Sequence, residues 1–310
     1  MRYENILVLG GGGFVGRHLV AALSARGARV TVPSRRRERA RHLLLLPTVD
    51  VVECDVNRRE ALSALVTGRD AVVNLVGILH GPNFAAAHVE LPQAVLAACR
   101  EHGVRRVLHM SALGASVGAP SEYLRSKGVG EQVVLAAADL DATVFRPSVI
   151  FGPEDALLNL FAKLARLMPV LLLGSPQARF QPVYVRDVAQ VMVDALDESK
   201  SFGQAYDLCG PKVYTLRELV ETVCRITGRR RPVLGLPDSL SYLQALLLEL
   251  APGEPLMTRD NLRSMRVPSV CDCSLPFGVA AQELEALAPA WLAPSGPRQR
   301  YPVYRWRARR

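Results

Sequence analysis

Tyr123-Leu124-Arg125-Ser126-Lys127 places a phenol and an ammonium four residues apart, and on a helix positions i and i+4 share a face. An ammonium beside a phenol stabilises the phenolate and lowers the tyrosine pKa. Such a pair can exchange a proton with a carbinol or a carbonyl, Tyr123 acting as acid or base. The plainer reading of the same spacing is an amphipathic helix with a half-exposed aromatic.

A second constellation opens the chain. The apolar run Ile6–Leu9 ends in glycines at Gly10, Gly13 and Gly16, and helical periodicity begins at once with Phe14, Val15, Leu19, Ala22 and Leu23. The order is strand, tight turn and helix, with a helix N-terminus free of bulky side chains. Its unpaired N–H groups and positive dipole end suit a pyrophosphate. Gly10 permits the turn, Gly13 lets backbone approach phosphate, and Gly16 lets the helix sit close on the strand. Consecutive glycines alone would read as a loop; the flanking strand and helix decide for a dinucleotide, with Phe14 and Val15 in the first turn beside it.

A site selective for NAD(H) ends its second strand with Asp or Glu, which accepts from the ribose 2′-OH. Here that strand ends Val32-Pro33-Ser34-Arg35-Arg36. Ser34 stands in the acid's place, and a hydroxyl with guanidinium groups suits a 2′-phosphate, so NADP(H) is expected over NAD(H). Read plainly, Arg35–Arg41 is the solvated start of a helix. Asp55 and Val56, after the third strand, are placed to meet the adenine. Leu75, Val76 and Gly77, after the fourth, pass beneath the diphosphate and ribose, and Lys127 is placed to hold the nicotinamide ribose.

These residues need a scaffold. Short apolar runs at 6–9, 28–32, 49–53, 71–76, 107–110 and 142–146 alternate with helical stretches at 15–25, 36–46, 59–66, 85–102 and 122–138. The pattern predicts an α/β fold, a doubly wound parallel Rossmann sheet covered on both faces, with ligands at the carboxyl edge of the strands. After Pro147 the alternation loosens, and helices are expected at 157–167, 188–196, 216–227 and 239–250. The chain therefore divides into a dinucleotide-binding domain, 1–150, and a smaller, mostly helical C-terminal lobe, 151–310, partly interleaved with it, for substrate or partner.

Bulk properties limit the alternatives. Apolar residues make up 49 % of the 310, yet no run approaches the ~20 residues of a membrane span. Met1-Arg2-Tyr3-Glu4 leads directly into the first strand, so no signal peptide is expected and the location is read as cytoplasmic, at most peripheral to the inner membrane. The net charge is +9, and residues 298–310 hold six arginines with Tyr301, Tyr304 and Trp306 between them. This basic tail could touch a protein partner or an anionic membrane surface; nucleic acid fits less well, and a solubilising terminus is the plain reading. Cys271-Asp272-Cys273 is one pair with no second pair to complete a metal tetrad, so no metal is expected and all six cysteines are read as free thiols in a reducing compartment. His80, His88 and His109 lack metal-ligand spacing and are read as structural or loop residues.

With Gly10-x-x-Gly13-x-x-Gly16, Asp55, Ser111 at the end of the fifth strand and Tyr123-x-x-x-Lys127 in place, the chain resembles the short-chain dehydrogenase/reductase superfamily in its extended and atypical branches, of NAD-dependent epimerase/dehydratase type. The segment from Arg146 to Asp155 is similar to the one whose backbone receives the nicotinamide carboxamide, which adds Pro147 and Val149 to the cofactor residues. Residues 123–131, 181–188 and 256–261 resemble the family of NAD(P)H-binding accessory subunits of respiratory complex I and their bacterial relatives, a likeness covering nearly the whole chain. The resemblance implies catalytic roles for Tyr123, Lys127 and Ser111. One departure matters: Ser111 stands one position short of the useful place and Ala112 cannot donate, and losing one such donor on a carbonyl oxygen costs ~3 kcal/mol. Two functions follow. One is an NADP(H)-dependent oxidoreductase or epimerase on a small carbonyl, carbinol or quinone-like substrate. The other is a non-catalytic NADPH-binding structural or assembly protein of respiratory or quinone metabolism, since in the accessory subunits the bound cofactor is regarded as structural. The second lobe shows no polar constellation that names a small-molecule substrate.

Overall fold

The strand Asn5–Leu9 (β1) sends Ile6 and Val8 into one apolar core and Leu7 and Leu9 into another, as a two-residue period requires, so both faces must be covered. The computed structural model, which describes residues 3–250 and 255–293, continues the sheet with β2 (Arg29–Ser34), β3 (Val49–Glu53), β4 (Ala71–Asn74), β5 (Arg106–Met110), β6 (Asp141–Pro147) and β7 (Gln204–Leu208). All seven strands are parallel, in the order β7-β6-β5-β4-β1-β2-β3. The doubly wound Rossmann-like fold is the architecture expected from the alternation of elements.

Helix α1 (Phe14–Ala25) covers one face through Leu19, Val20 and Leu23. The other face is covered by α2 (Arg59–Val66), α3 (Leu91–Glu101) and α4 (Glu122–Leu135), which bury Leu62, Val66, Val95, Leu96 and Val134 there. After β6 the chain leaves the sheet for α5 (Ala156–Leu167), then returns with α6 (Val185–Asp197), whose Val188, Val191 and Met192 pack beside α1, and with β7 against β6. The return is fastened by Arg106, fully buried at the start of β5. Its guanidinium donates to the carbonyls of Ala195 and Leu196 in the last turn of α6, to that of Asp141, and to the hydroxyls of Thr143 and Ser201. The last carbonyls of a helix lack intrahelical donors, and a cation there also opposes the dipole. Burial lowers the Arg106 pKa to about 10, which leaves it charged at neutral pH.

A third apolar cluster packs α5 against α7 (Leu216–Ile226) through Leu158, Phe161, Ala165, Leu219, Val220 and Val223. Helix α8 (Asp238–Glu249) turns Ser241 and Ala245 inward and leaves Leu240, Leu243 and Leu247, with Leu250 just beyond, exposed. Among the described residues no helix is long and apolar enough to cross a membrane. The arginine-rich stretch 298–310 lies outside the described residues.

Three local expectations are corrected. The stretch read as a helix over 36–46 is a 3-10 helix, Arg37–Leu45, whose buried Ala40 and Leu43 are three residues apart, the spacing that stacks side chains in that geometry. The helix read over 85–102 begins as a π-turn, Ala86–Glu90, before α3. Pro92 has no N–H to bond the His88 carbonyl, and Gly130 of α4 packs so close that a Cβ there would lie 1.8 Å from that oxygen. Finally, Cys209 and Cys271 are not free thiols: a disulfide joins them across 62 residues, while Cys54, Cys99, Cys224 and Cys273 are free. The end of β7 and the segment carrying Cys271 are brought together by Gln181, which donates to the Gly210 carbonyl and accepts from the Cys271 N–H.

Candidate active site

The turn after β1 is shaped by contacts that exclude side chains. Gly10 has φ +78°, and a Cβ on it would meet the Leu75 carbonyl carbon at 3.1 Å and the Val76 nitrogen at 3.2 Å. At Gly16 a Cβ would stand 2.4 Å from the Gly10 oxygen, so the first turn of α1 rests directly on the loop. Exposed Gly13 caps α1 with no side-chain acceptor and no acid follows in the first turn, so the amides of Phe14, Val15 and Gly16 lack intrahelical partners. That is a cradle with the charge and shape for a diphosphate. Phe14 also faces Gly152, where a Cβ would lie 3.3 Å from its ring, and Arg17 and His18 approach Glu154 at 3.4 Å, tying the turn to the segment that follows β6.

At the end of β2 the Ser34 hydroxyl donates to the Arg36 carbonyl at 2.8 Å, so its proton is already committed. The side chains of Arg35, Arg36 and Arg37 are exposed. No acid ends β2, but Glu53 pairs with Ser34 across the β2–β3 ladder and accepts from the Arg37 N–H at 3.3 Å. A carboxylate therefore stands in the turn after all, a feature hidden when β2 is read alone. Asp55 is exposed and accepts from the Asn57 amide and side chain, while Val56 leans on the core.

The ends of β4, β5 and β6 supply the rest. Buried Asn74 accepts from the Val76 N–H, and the Leu75 N–H reaches the Leu9 carbonyl, which holds Leu75–Gly77 across the end of β1. Gly77 makes room for Lys127: a Cβ there would meet Nζ at 3.1 Å. Lys127, buried, donates to the Met110 carbonyl at 2.8 Å. The next residue, Ser111, is 3 % exposed and its hydroxyl has no partner among the described residues. Pro147 accepts from the Leu113 N–H, the Ser148 hydroxyl donates to the Ser269 carbonyl, and Val149 accepts from the Val183 N–H. Arg146 is held by Glu131 and, at 3.5 Å, by Asp207.

Tyr123 lies in the first turn of α4, whose N-terminus is capped twice. The Ser121 hydroxyl accepts from Leu124 N–H, and the Asp260 carboxylate, remote in sequence, accepts from the Glu122 and Tyr123 N–H groups at 2.8 and 3.0 Å. The tyrosine ring meets Phe84 and His88 edge-on, with centroids 6.3 and 5.7 Å away. His88 Nε2 accepts from the Ile78 N–H, so Nδ1 carries the proton toward the Ser126 hydroxyl, which donates to the Tyr123 carbonyl. Phe84, His88 and Asp260 had no assigned role in the sequence, though Asp260 falls in a segment that carried the family resemblance.

The electrostatics correct one expectation. Burial pushes the Tyr123 phenol up to about 12 rather than down, and burial lowers Lys127 to about 8. The shared helical face alone does not stabilise a phenolate: the ammonium's hydrogen bond goes to the Met110 carbonyl, and desolvation of the ring dominates. Burial, with Lys127 as a lesser cause, also lowers His88 and His109 to about 3. Both histidines are thus neutral when folded and bind protons more readily when unfolded. Stability should be fully retained above pH 6.5 and lost as pH falls toward 3. Between pH 6.5 and 5 the two should remove about 3 kcal/mol, the slope approaching about 1.4 kcal/mol per unit each well below 6.5. Urea unfolding at the two pH values measures this, and His88→Gln and His109→Gln should each flatten the dependence.

The model for the NAD dependent epimerase/dehydratase family matches residues 6–209. Among curated proteins, the chain is 38% identical over 226 residues to the mitochondrial NADH dehydrogenase [ubiquinone] 1 alpha subcomplex subunit 9 of Arabidopsis thaliana, covering 69% of this chain and 56% of that relative's length. It is 32% identical to the protein of the same name from Mus musculus, covering 96% of this chain and 81% of the other. It is also 31% identical to a ceramide reductase of Caulobacter vibrioides, over 75% of this chain and 74% of that one. Among solved structures, a dTDP-glucose 4,6-dehydratase from Bacillus anthracis in complex with NAD superposes with a TM-score of 0.72 at 18% identity, covering 98% of each chain, a likeness of fold.

Proposed function

Since the chain belongs to the NAD-dependent epimerase/dehydratase family, we propose that it holds a pyridine nucleotide along the carboxyl edge of its sheet, NADP(H) in preference to NAD(H), and interconverts a small carbonyl and its carbinol. The diphosphate would lie on the first-turn amides of Phe14, Val15 and Gly16 over Gly10 and Gly13. Asp55 and Val56 would face the adenine, Ser34, Arg35 and Arg36 the 2′-phosphate, and Leu75, Val76 and Gly77 the underside of the ribose. Pro147 and Val149 would border the nicotinamide, and Lys127 would hold its ribose. A bound nicotinamide supplies or accepts the hydride.

The observation that carries this reading is the buried Ser111 hydroxyl, without a partner among the described residues and one residue beyond the Met110 carbonyl that receives Lys127, which itself lies one helical turn from Tyr123. A buried donor without a partner is costly unless a ligand completes it. Tyr123, protonated at neutral pH and its pKa raised further by burial, is suited to give a proton to a developing alkoxide, and Ser111 to donate to the same oxygen. His88, Ser126 and Asp260 act by holding Tyr123 in place. In this division residues 1–150, with α6 and β7, serve the nucleotide, and the rest of 151–310 forms the substrate or partner lobe.

Cofactor choice is the direct test. Titration should give an NADPH dissociation constant at least about tenfold below that for NADH, since a charge-assisted phosphate contact is worth about 1.4 kcal/mol or more. Arg35→Ala with Arg36→Ala should erase the difference, and Glu53→Gln should widen it. Equal affinities in the unaltered protein would remove the NADP(H) preference.

A second reading, a non-catalytic nucleotide-stabilised subunit, is favoured by one observation. The exposed leucine stripe of α8, Leu240, Leu243, Leu247 and Leu250, is an apolar surface of the kind that marks a partner site. The mitochondrial relatives are, by name, subunits of NADH dehydrogenase [ubiquinone].

A further inference from the structure

Cys209 and the pair Cys271 and Cys273, which begins 62 residues later, meet beyond the end of β7. The sulfurs of Cys209, Cys271 and Cys273 all lie within 4.8 Å of one another, the first buried, the second half-buried and the third exposed. The Cys209–Cys271 disulfide uses two of these sulfurs and gives no reason for the third. The cluster also supplies what Cys271-Asp272-Cys273 lacks by itself, a thiol from a different element.

We propose that the reduced cluster is a zinc site, with Cys209, Cys271 and Cys273 as three thiolate ligands and a fourth position open on the solvent side of Cys273. A tetrahedral zinc with Zn–S bonds of about 2.3 Å holds its thiolates about 3.8 Å apart, so on reduction the Cys209 and Cys271 sulfurs part to that spacing and the distances to Cys273 close by about 1 Å at most. The frame around them does not depend on that bond. Gln181 ties the two segments through its side-chain amide, donating to the Gly210 carbonyl at 2.7 Å and accepting from the Cys271 N–H at 3.0 Å. Its own N–H donates to the Ser269 carbonyl, and the Gly210 N–H returns to the Gln181 carbonyl. At Gly210 the chains are so close that a Cβ would stand 1.8 Å from the Pro182 oxygen. Amide contacts therefore join the same two segments as the disulfide does, which is the preorganisation a metal site needs once that bond is reduced.

The chemistry balances simply. A dithiol reductant delivers two electrons and two protons to the Cys209–Cys271 bond and is itself left as a disulfide. Zinc then displaces three thiol protons to solvent. Soft thiolates in this number favour zinc or copper(I) over magnesium or calcium, and a four-coordinate site with one open position suits zinc. The bound ion would pin residues 269–273 to β7 and, through the Ser148–Ser269 hydrogen bonds, brace the segment Pro147–Val149.

The test uses the full chain, reduced with a phosphine under anaerobic conditions, given zinc and passed over a chelating resin. Elemental analysis should find about one zinc per chain, with three thiols protected from a thiol reagent. Cobalt in place of zinc should show thiolate-to-metal charge-transfer absorption. Cys273→Ser, at an exposed position, should keep the fold by circular dichroism yet bind zinc more than about tenfold more weakly, whereas Cys54→Ser should bind as the unaltered protein does. Reduced protein that retains no zinc, copper retained in its place, or unchanged zinc affinity in Cys273→Ser would overturn the assignment.

Discussion

Replacing Tyr123 by phenylalanine is expected to slow hydride exchange with a carbonyl substrate by about a thousandfold while leaving the NADPH dissociation constant within about twofold, the size of effect seen when a positioned acid is removed. The change is confined to one oxygen. The ring stays between Phe84 and His88, and the Asp260 and Ser121 caps that orient the first turn of α4 act on backbone and on Leu124, not on the phenol. Because burial holds the phenol near 12, it is protonated at neutral pH and ready to donate, so carbonyl reduction should be the easier direction there. Oxidation of a carbinol, which needs the phenolate, should quicken as pH rises. Nicotinamide absorbance under steady state, followed over a panel of ketones and quinones, measures both. If the unaltered protein turns over nothing in such a panel yet melts higher with NADPH, the chemistry assigned to Tyr123 is wrong and the partner reading of the α8 stripe gains.

Gly16→Ala is expected to be nearly as damaging, to binding rather than to chemistry. The added methyl would stand 2.4 Å from the Gly10 oxygen and 2.5 Å from the Gly11 Cα, both main-chain atoms that cannot rotate away. Either α1 lifts from the turn or the turn opens, and in both cases the first-turn amides no longer converge on one anion. A loss of about 3 kcal/mol, about a hundredfold in NADPH affinity, is the expected result by calorimetry. Gly118→Ala is the matched control, because a Cβ there meets nothing within 4 Å and the residue is exposed. Equal affinities in the two variants would mean that the nucleotide does not sit on this turn.

What could be read from the chain was local. The β1–turn–α1 unit announces itself because backbone sterics at Gly10 and Gly16 act within a few residues, and the helix carrying Tyr123 and Lys127 has its period and its cap in the sequence. The parts that were not legible depend on distant segments. Gln204–Leu208 has too few apolar residues to declare itself a strand, and only the open edge of β6 and the Arg106 clamp on α6 make it one. Asp260 caps a helix 137 residues away. Glu53 faces Ser34 only through the β2–β3 ladder. The tyrosine pKa went the other way because i and i+4 spacing fixes a shared face, not where an ammonium finds its acceptor. The Cys209–Cys271 disulfide is hidden for the same reason, since nothing near Cys271 in sequence points to Cys209.

The central claim is that a pyridine nucleotide lies along this sheet edge with its nicotinamide facing Tyr123. A crystal structure of the protein with NADPH tests it most directly. The diphosphate is expected within hydrogen-bond reach of the Phe14, Val15 and Gly16 amides, with the nicotinamide beside Tyr123 and Ser111 at a spacing of about 3–3.5 Å for a reacting atom. An empty edge at saturating NADPH, or a nucleotide bound elsewhere on the chain, would contradict the account.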